Sequence, residues 1–228
     1  MLKLTHIVLL VAFTSSFCGC FEGTQNTNPS LPEREATMKT PANNSTSAST
    51  PEGLRLSIQG TVLSGLESLE PVIEIPRIQG WTTANFQVLP EEEFGFFIGF
   101  RHESGLTLTL YQYSLGHKEI PNTLGKLTNT EMKRAVSGIQ QAVQAGAWKA
   151  ARQIDSGESN LGDSSKTALW SRHILELEDF ELASDTYVWA YNDRIFKVRS
   201  TGDQLRSKVQ ENALTVFLSN LGNACPNP

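Results

Sequence analysis

The chain has 228 residues, 39% of them apolar and 19% charged, with a formal charge of −5 at neutral pH. These values fit one globular domain with an extension, and they exclude a fibrous or collagen-like chain. An acidic balance without a basic stripe argues against a nucleic-acid partner, because phosphate neutralisation supplies most of the affinity in such complexes.

The N-terminus carries one cation, Lys3, then the apolar run Ile7, Val8, Leu9, Leu10, Val11, Ala12 and Phe13. This is a signal-peptide layout, since seven apolar residues fall far short of the ~20 that span a bilayer. The string Phe17-Cys18-Gly19-Cys20 resembles the lipobox of bacterial lipoprotein precursors, with Phe17 standing where that class usually has leucine. The resemblance implies a signal peptide over 1–19, lipid on Cys20 and a chain held to a membrane of the cell envelope through that lipid. Phe21 in place of aspartate resembles lipoproteins sorted to the outer membrane, facing the periplasm, where a cell has two membranes. The alternative is cleavage after Cys20 and secretion of a soluble protein beginning at Phe21.

Cys18, Cys20 and Cys225 are the only cysteines. Processing at Cys20 leaves the mature protein one free thiol, Cys225, in a tail expected to fray, and no disulfide. From Cys20 to position 53 the chain is mostly Thr, Asn, Ser, Pro, Ala and Glu, without apolar periodicity. Such a stretch cannot bury enough surface to offset its ordering entropy, so a disordered tether is expected over 20–53. Asn43 and Asn44 each open an Asn-x-Ser/Thr pattern, which the low-complexity composition explains.

The folded domain is expected over 54–228. Loose alternation over 54–63 and a short apolar stretch over 72–78, broken by Pro76, suggest strands. Residues 94–100 and 106–113 form a hairpin pattern around a Gly-bearing turn, with Leu106, Leu108 and Leu110 on one face and Thr107, Thr109, Tyr111 and Tyr113 on the other. Thr128-Asn129-Thr130-Glu131 reads as a capping box, followed by Met132, Ala135, Val136, Ile139 and Val143 at helical spacing.

A second group of strands follows over 170–177, 186–191 and 194–201. The last two join across Asn192-Asp193, a turn pair that accepts positive φ. That turn sets Trp189 opposite Phe196 and Tyr187 opposite Val198 on the core face, and Val188 opposite Lys197 and Thr186 opposite Arg199 on the other. A final helix is expected from near Asp203, using Leu205, Val209, Ala213, Val216, Phe217 and Leu221 and ending at Gly222. The expected fold class is α+β, an antiparallel sheet with two helices packed on it. The run from Phe94 to Gly116, the first helix and residues 191–201 together resemble a group of uncharacterised exported bacterial proteins. The element order is distantly similar to the Mog1/PsbP-like fold, which implies no fixed function.

No catalytic constellation, cofactor motif or metal-ligand spacing is present in the sequence. His102, His117 and His173 have no ligand spacing, no Gly-x-Ser-x-Gly elbow occurs, and the acidic groups 91–93 and 176–179 lack a Ca²⁺-loop pattern. The expected function is a non-enzymatic, protein-binding envelope module. A small-molecule module with its pocket between sheet and helices is the alternative, and a hydrolase with scattered residues is the third reading. The candidate binding face holds Tyr111, Tyr113, Lys197 and Arg199, unless both helices lie on the other side and these residues form an ordinary outer face.

Overall fold

The computed structural model describes residues 56–58, 61–63, 77–89 and 92–225, all within one compact unit, Thr50–Pro228. The expected signal peptide, Cys20 and the tether lie outside the described residues, as does the apolar stretch before Arg77. A small hairpin comes first, β1 (Leu56–Ile58) against β2 (Thr61–Leu63). The main body is β3 (Trp81–Val88), a single 3-10 turn, β4 (Phe96–His102), β5 (Thr107–Tyr113), α1 (Lys126–Gln144), β6 (Ala150–Asn160), β7 (Thr167–Glu176), β8 (Glu181–Tyr191), β9 (Arg194–Asp203) and α2 (Lys208–Ala224).

Seven strands form one antiparallel sheet in the order β3-β4-β5-β9-β8-β7-β6. The sequence expectation of an antiparallel α+β domain with two helices therefore holds. Two meanders, β3 to β5 and β6 to β9, meet where β5 pairs with β9, and α1 is the connection between them. The β8–β9 turn has Asn192 at φ 48 and Asp193 at φ 57. Positive φ at both central positions is the primed turn whose twist matches that of paired strands. The expected register follows from it: Trp189 faces Phe196, Tyr187 faces Val198, Val188 faces Lys197 and Thr186 faces Arg199.

The helices lie on opposite faces. α2 covers the side bearing Trp189, Phe196, Val198, Leu108 and Leu110, where Phe217 and Leu221 are fully buried. Phe217 sits edge-on to Phe100 at 4.9 Å and against Trp81 at 4.7 Å, and Trp189 stacks on Phe196 at 5.3 Å. α1 covers the other side over β6, β7 and β8, with Leu127 and Met132 packed on Val188, Ala190, Ile195 and Tyr113. Each sheet face thus has its own core, and three layers result.

Several sequence expectations are corrected. The α1 cap lies three residues earlier than the Thr128 box: Gly125 is the N-cap, and Thr128 Oγ1 accepts the Gly125 N–H at 2.9 Å. α2 begins at Lys208 with Ser207 as cap, its Oγ accepting the Gln210 N–H. Its buried stripe is Gln210, Ala213, Leu214, Phe217, Leu218 and Leu221, so Leu205 (87% exposed), Val209 and Val216 point outward. Gly222 lies inside α2, where a Cβ would strike Ser164 Oγ. Cys225 is fully buried rather than frayed, and burial pushes its thiol up to about 11. β3 and β6 carry no apolar alternation, WTTANFQV and AARQIDSGESN being mostly polar, because both are edge strands with largely exposed side chains.

A charged cluster is buried on the α2 side. Asp185 is fully buried, bridged by Arg172 through two hydrogen bonds of 2.7 and 3.1 Å and by Arg206, which also donates to Ser200 Oγ at 3.0 Å. Removing one partner of such a cluster strands a charge away from water, at a cost of about 3–5 kcal/mol. The α2 register gives a direct check by chemical denaturation. Phe217→Ala is expected to lower stability by about 3–5 kcal/mol, whereas Val216→Ala, at an exposed position, stays within about 0.5 kcal/mol of wild type. Equal losses would mean that the helix is rotated from the face described.

Candidate functional site

The α1 side of the sheet has an unusual composition. One row of laterally paired residues crosses all seven strands as Asn85, Gly99, Thr109, Arg199, Thr186, Ser171 and Ser156. The next row on the same face reads Thr82, Arg101, Thr107, Thr201, Ser184, His173 and Gln153. Apart from Gly99, every position in both rows is polar. Strand alternation puts the apolar partners Phe100, Leu108, Leu110 and Val198 on the opposite face, which carries the larger of the two cores.

The four residues singled out from the sequence come together next to these rows. Lys197 Nζ lies 4.2 Å from the centre of the Tyr111 ring and 5.6 Å from that of Tyr113. Tyr113 donates its hydroxyl hydrogen to Glu131 Oε2 of α1 at 3.1 Å, and Glu131 pairs with Arg134 at 3.1 Å. Arg199 donates to Ser184 Oγ at 3.1 Å and stacks on Trp148, which follows α1, at 5.0 Å. Tyr113 is buried, and Tyr111, Lys197 and Arg199 are half-buried. They form neither an open outer face nor a closed core: they mark the boundary where α1 ends its cover.

Beyond that boundary the β3–β5 half stays accessible. Thr82, Arg101 and Thr107 are exposed and Phe97, Thr109 and Tyr111 half-buried, and the Phe97 and Tyr111 rings meet at 5.8 Å. On the other flank, between α1 and β6–β7, a shallow cleft of about 360 Å³ is lined by Met132, Val136, Ser137, Gln153, Ser156 and Ser171.

Under α1, Ser171 Oγ and His173 Nδ1 are 3.3 Å apart. Both residues have zero exposure, His173 Nε2 has no partner, and burial and then Arg199 hold the imidazole pKa below its ordinary value. The fully buried Asp185 projects from the opposite face into its two arginines. A serine and a histidine are therefore adjacent, but no carboxylate orients the ring and Ser171 has no exposed surface for a substrate to meet. His102 ends β4, buried against Trp81, and His117 is exposed. Among the described residues no cluster of three His, Cys, Asp or Glu side chains could hold a metal ion, and no helix is long and apolar enough to cross a membrane. Glu93 is exposed, Glu176 pairs with Lys149 at 3.3 Å, and Glu178 and Asp179 are exposed, as solvated loop charge would be.

The sequence reading missed Trp148, Phe97, Glu131 and the Ser171–His173 contact as members of the site. Period-two counting from the Asn192-Asp193 turn through the neighbouring strands would have exposed the polar rows, but it needed the pairing of β5 with β9 and of β6 with β7.

Fold and site together define a three-layer α+β domain with one dry face and one polar face. No protein-family model matches the chain, and no curated protein sequence matches it. Among solved structures it is similar to the solution structure of cyanobacterial PsbP (CyanoP) from Synechocystis sp. PCC 6803, at 10% identity, covering 62% of this chain and 81% of that one, with a TM-score of 0.39. A likeness at that level fixes neither fold nor function.

Lys197 gives the site a pH signature. Burial, then Arg199 and Arg134, lower its pKa to about 8, while Glu131 works in the opposite direction. With the folded value below that of the unfolded chain, the folded state holds fewer protons between about 8 and the ordinary lysine range near 10.4. Stability contributed by Lys197 therefore rises with pH across that window and is least below it. Thermal melts should show wild type gaining on Lys197→Met from pH 8 to pH 10; parallel curves would mean that the ammonium is solvated.

Proposed function

We propose that this protein is an extracytoplasmic module, lipid-anchored at Cys20 in the cell envelope on the periplasmic side of the outer membrane, that binds an acidic segment of another envelope protein. The binding surface is the open part of the polar sheet face, from Thr82 and Arg101 through Thr109 to Arg199. The observation that carries this reading is the pair of polar rows, which place hydroxyls and two guanidinium groups where a sheet under helix cover would normally present apolar side chains. Phe97 and Tyr111 add aromatic contact area beside the cations, the residue mix that dominates protein interfaces. Exposed carboxylates are absent from both rows, so an acidic partner meets complementary charge and few like charges.

The anchor rests on the lipobox-like string ending at Cys20, and the polar 20–53 segment gives the domain reach from the membrane. A second reading is favoured by the cleft between α1 and β6–β7: its exposed Ser137 and Ser156 hydroxyls and Met132 and Val136 side chains suit a small ligand with an apolar body and polar substituents.

The test places a photo-crosslinking residue at Thr107 in the full-length chain in cells. Adducts with one envelope protein are expected, weakening at high salt and falling about tenfold with Thr109→Asp, which puts a carboxylate beside Arg199. No adduct, or adducts indifferent to that change, would sink the protein-binding reading. For the anchor, labelled palmitate is expected in wild type and absent from Cys20→Ala; a soluble, unlabelled wild-type protein starting at Phe21 would remove it.

A further inference from the structure

A separate concavity is cut into the corner of the sheet where the chain enters β3. It measures about 560 Å³ and lies between the turn 77–80 and the end of β4. Its shape has a local cause. Gly80 has φ +78, and its carbonyl accepts the Glu103 N–H at 3.0 Å, drawing the turn against the His102 ring. A Cβ at position 80 would lie 2.5 Å from His102 Nε2. Only glycine both adopts that φ without strain and lets the backbone close on the imidazole.

The groove is lined by two arginines and a histidine, with Gln79 and Glu103 supplying side-chain acceptors. Ser104 N–H donates to His102 Nδ1 at 3.1 Å, so the neutral ring carries its hydrogen on Nε2, the atom facing Gly80 at the groove wall. Arg77 and Arg101 flank the groove and are exposed, and neither guanidinium makes an ion pair or hydrogen bond within the described residues. Thr82 also lines the groove, its hydroxyl donating to the Arg101 carbonyl at 3.3 Å. The acidic member is Glu103 alone. Elsewhere in the domain, buried or half-buried arginines are committed, Arg172 and Arg206 to Asp185 and Arg199 to Ser184. Here two uncommitted guanidinium forks line one concavity against a single carboxylate, Glu103.

The geometry points to a binding site for a phosphate group, held between Arg77 and Arg101 with His102 Nε2–H on the groove wall. Guanidinium forks match tetrahedral oxyanions bidentately. The phosphate comes from an anionic phospholipid headgroup or from a free phosphate ester, and both present the same chemistry to the groove. Arg101 and Thr82 also rim the sheet face proposed above, but the groove depends on Arg77, Gly80 and His102, which lie off it.

Calorimetric titration of the full-length chain in maltoside detergent, with inorganic phosphate, glycerol 3-phosphate and dibutanoyl phosphatidylglycerol, tests the assignment. Saturable one-to-one binding is expected, weakened about tenfold by Arg77→Gln and by Arg101→Gln, both exposed and tolerant positions, and tightened by Glu103→Gln. Tighter binding of the phosphatidylglycerol identifies a lipid headgroup, and equal or tighter binding of the two water-soluble phosphates identifies a free solute. Thr109→Asp is expected to leave all three titrations unchanged, which separates this site from the proposed protein-binding face. Failure to saturate with any probe, or binding that survives either arginine substitution, overturns the assignment.

Discussion

The β8–β9 hairpin is the constraint on which the domain depends. It occupies the middle of the sheet, and its turn residues, Asn192 and Asp193, fix which side chains face which helix. A slip of one residue would rotate Trp189 and Phe196 toward α1 and carry the Lys197 ammonium and the Arg199 guanidinium into the packed layer beneath α2. The penalty for burying unpaired charge in that layer far exceeds any gain from alternative pairing. Register, core and polar face are therefore set together by a two-residue turn.

The two faces divide the work of the molecule. On the α2 side, Trp81, Phe100, Trp189, Phe196 and Phe217 supply the bulk of the aromatic burial, and the Arg172–Asp185–Arg206 cluster is closed on itself. Because that side carries stability, the α1 side is free to hold serines, threonines and arginines that a single-core protein would have to replace with valine or leucine. α1 seals the end of this face holding Val188, Ala190 and Ile195, and Trp148 continues the cover over Arg199. Beyond them the polar rows run out toward solvent through Thr109 and Thr107.

The sequence was most informative where periodicity and turn chemistry agree. The 106–113 alternation, the Asn192-Asp193 turn and the four cross-strand pairs around it were legible because each is decided locally. The edges were not: β3 and β6 are strands by virtue of the neighbour each hydrogen-bonds, and a mostly polar 11-residue string such as AARQIDSGESN carries no internal sign of that partner. α2 was legible as a helix but displaced in phase, because Val209 and Val216 are as apolar as the Leu214 and Phe217 that pack, and only the sheet chooses between the two stripes. Of the candidate face, Tyr111 and Tyr113 came from alternation in one hairpin and Lys197 and Arg199 from turn register in the other, and the β5–β9 pairing sets Tyr111 opposite Lys197. Glu131 and Trp148 belong to a connection whose landing point depends on the whole topology.

The outer rim of β6 has a consequence for how copies of the domain meet at high concentration. Eleven residues of backbone end the sheet there, long enough to recruit a strand from an adjacent molecule. The pairing shift between Gln153 and Asp155 kinks the strand midway, and Arg152, Asp155 and Glu158 set charges of both signs along the exposed rim. An incoming strand would meet a broken ladder of donors and acceptors and lose alignment after a few residues. Many copies can thus share a concentrated solution without zipping into a continuous ribbon.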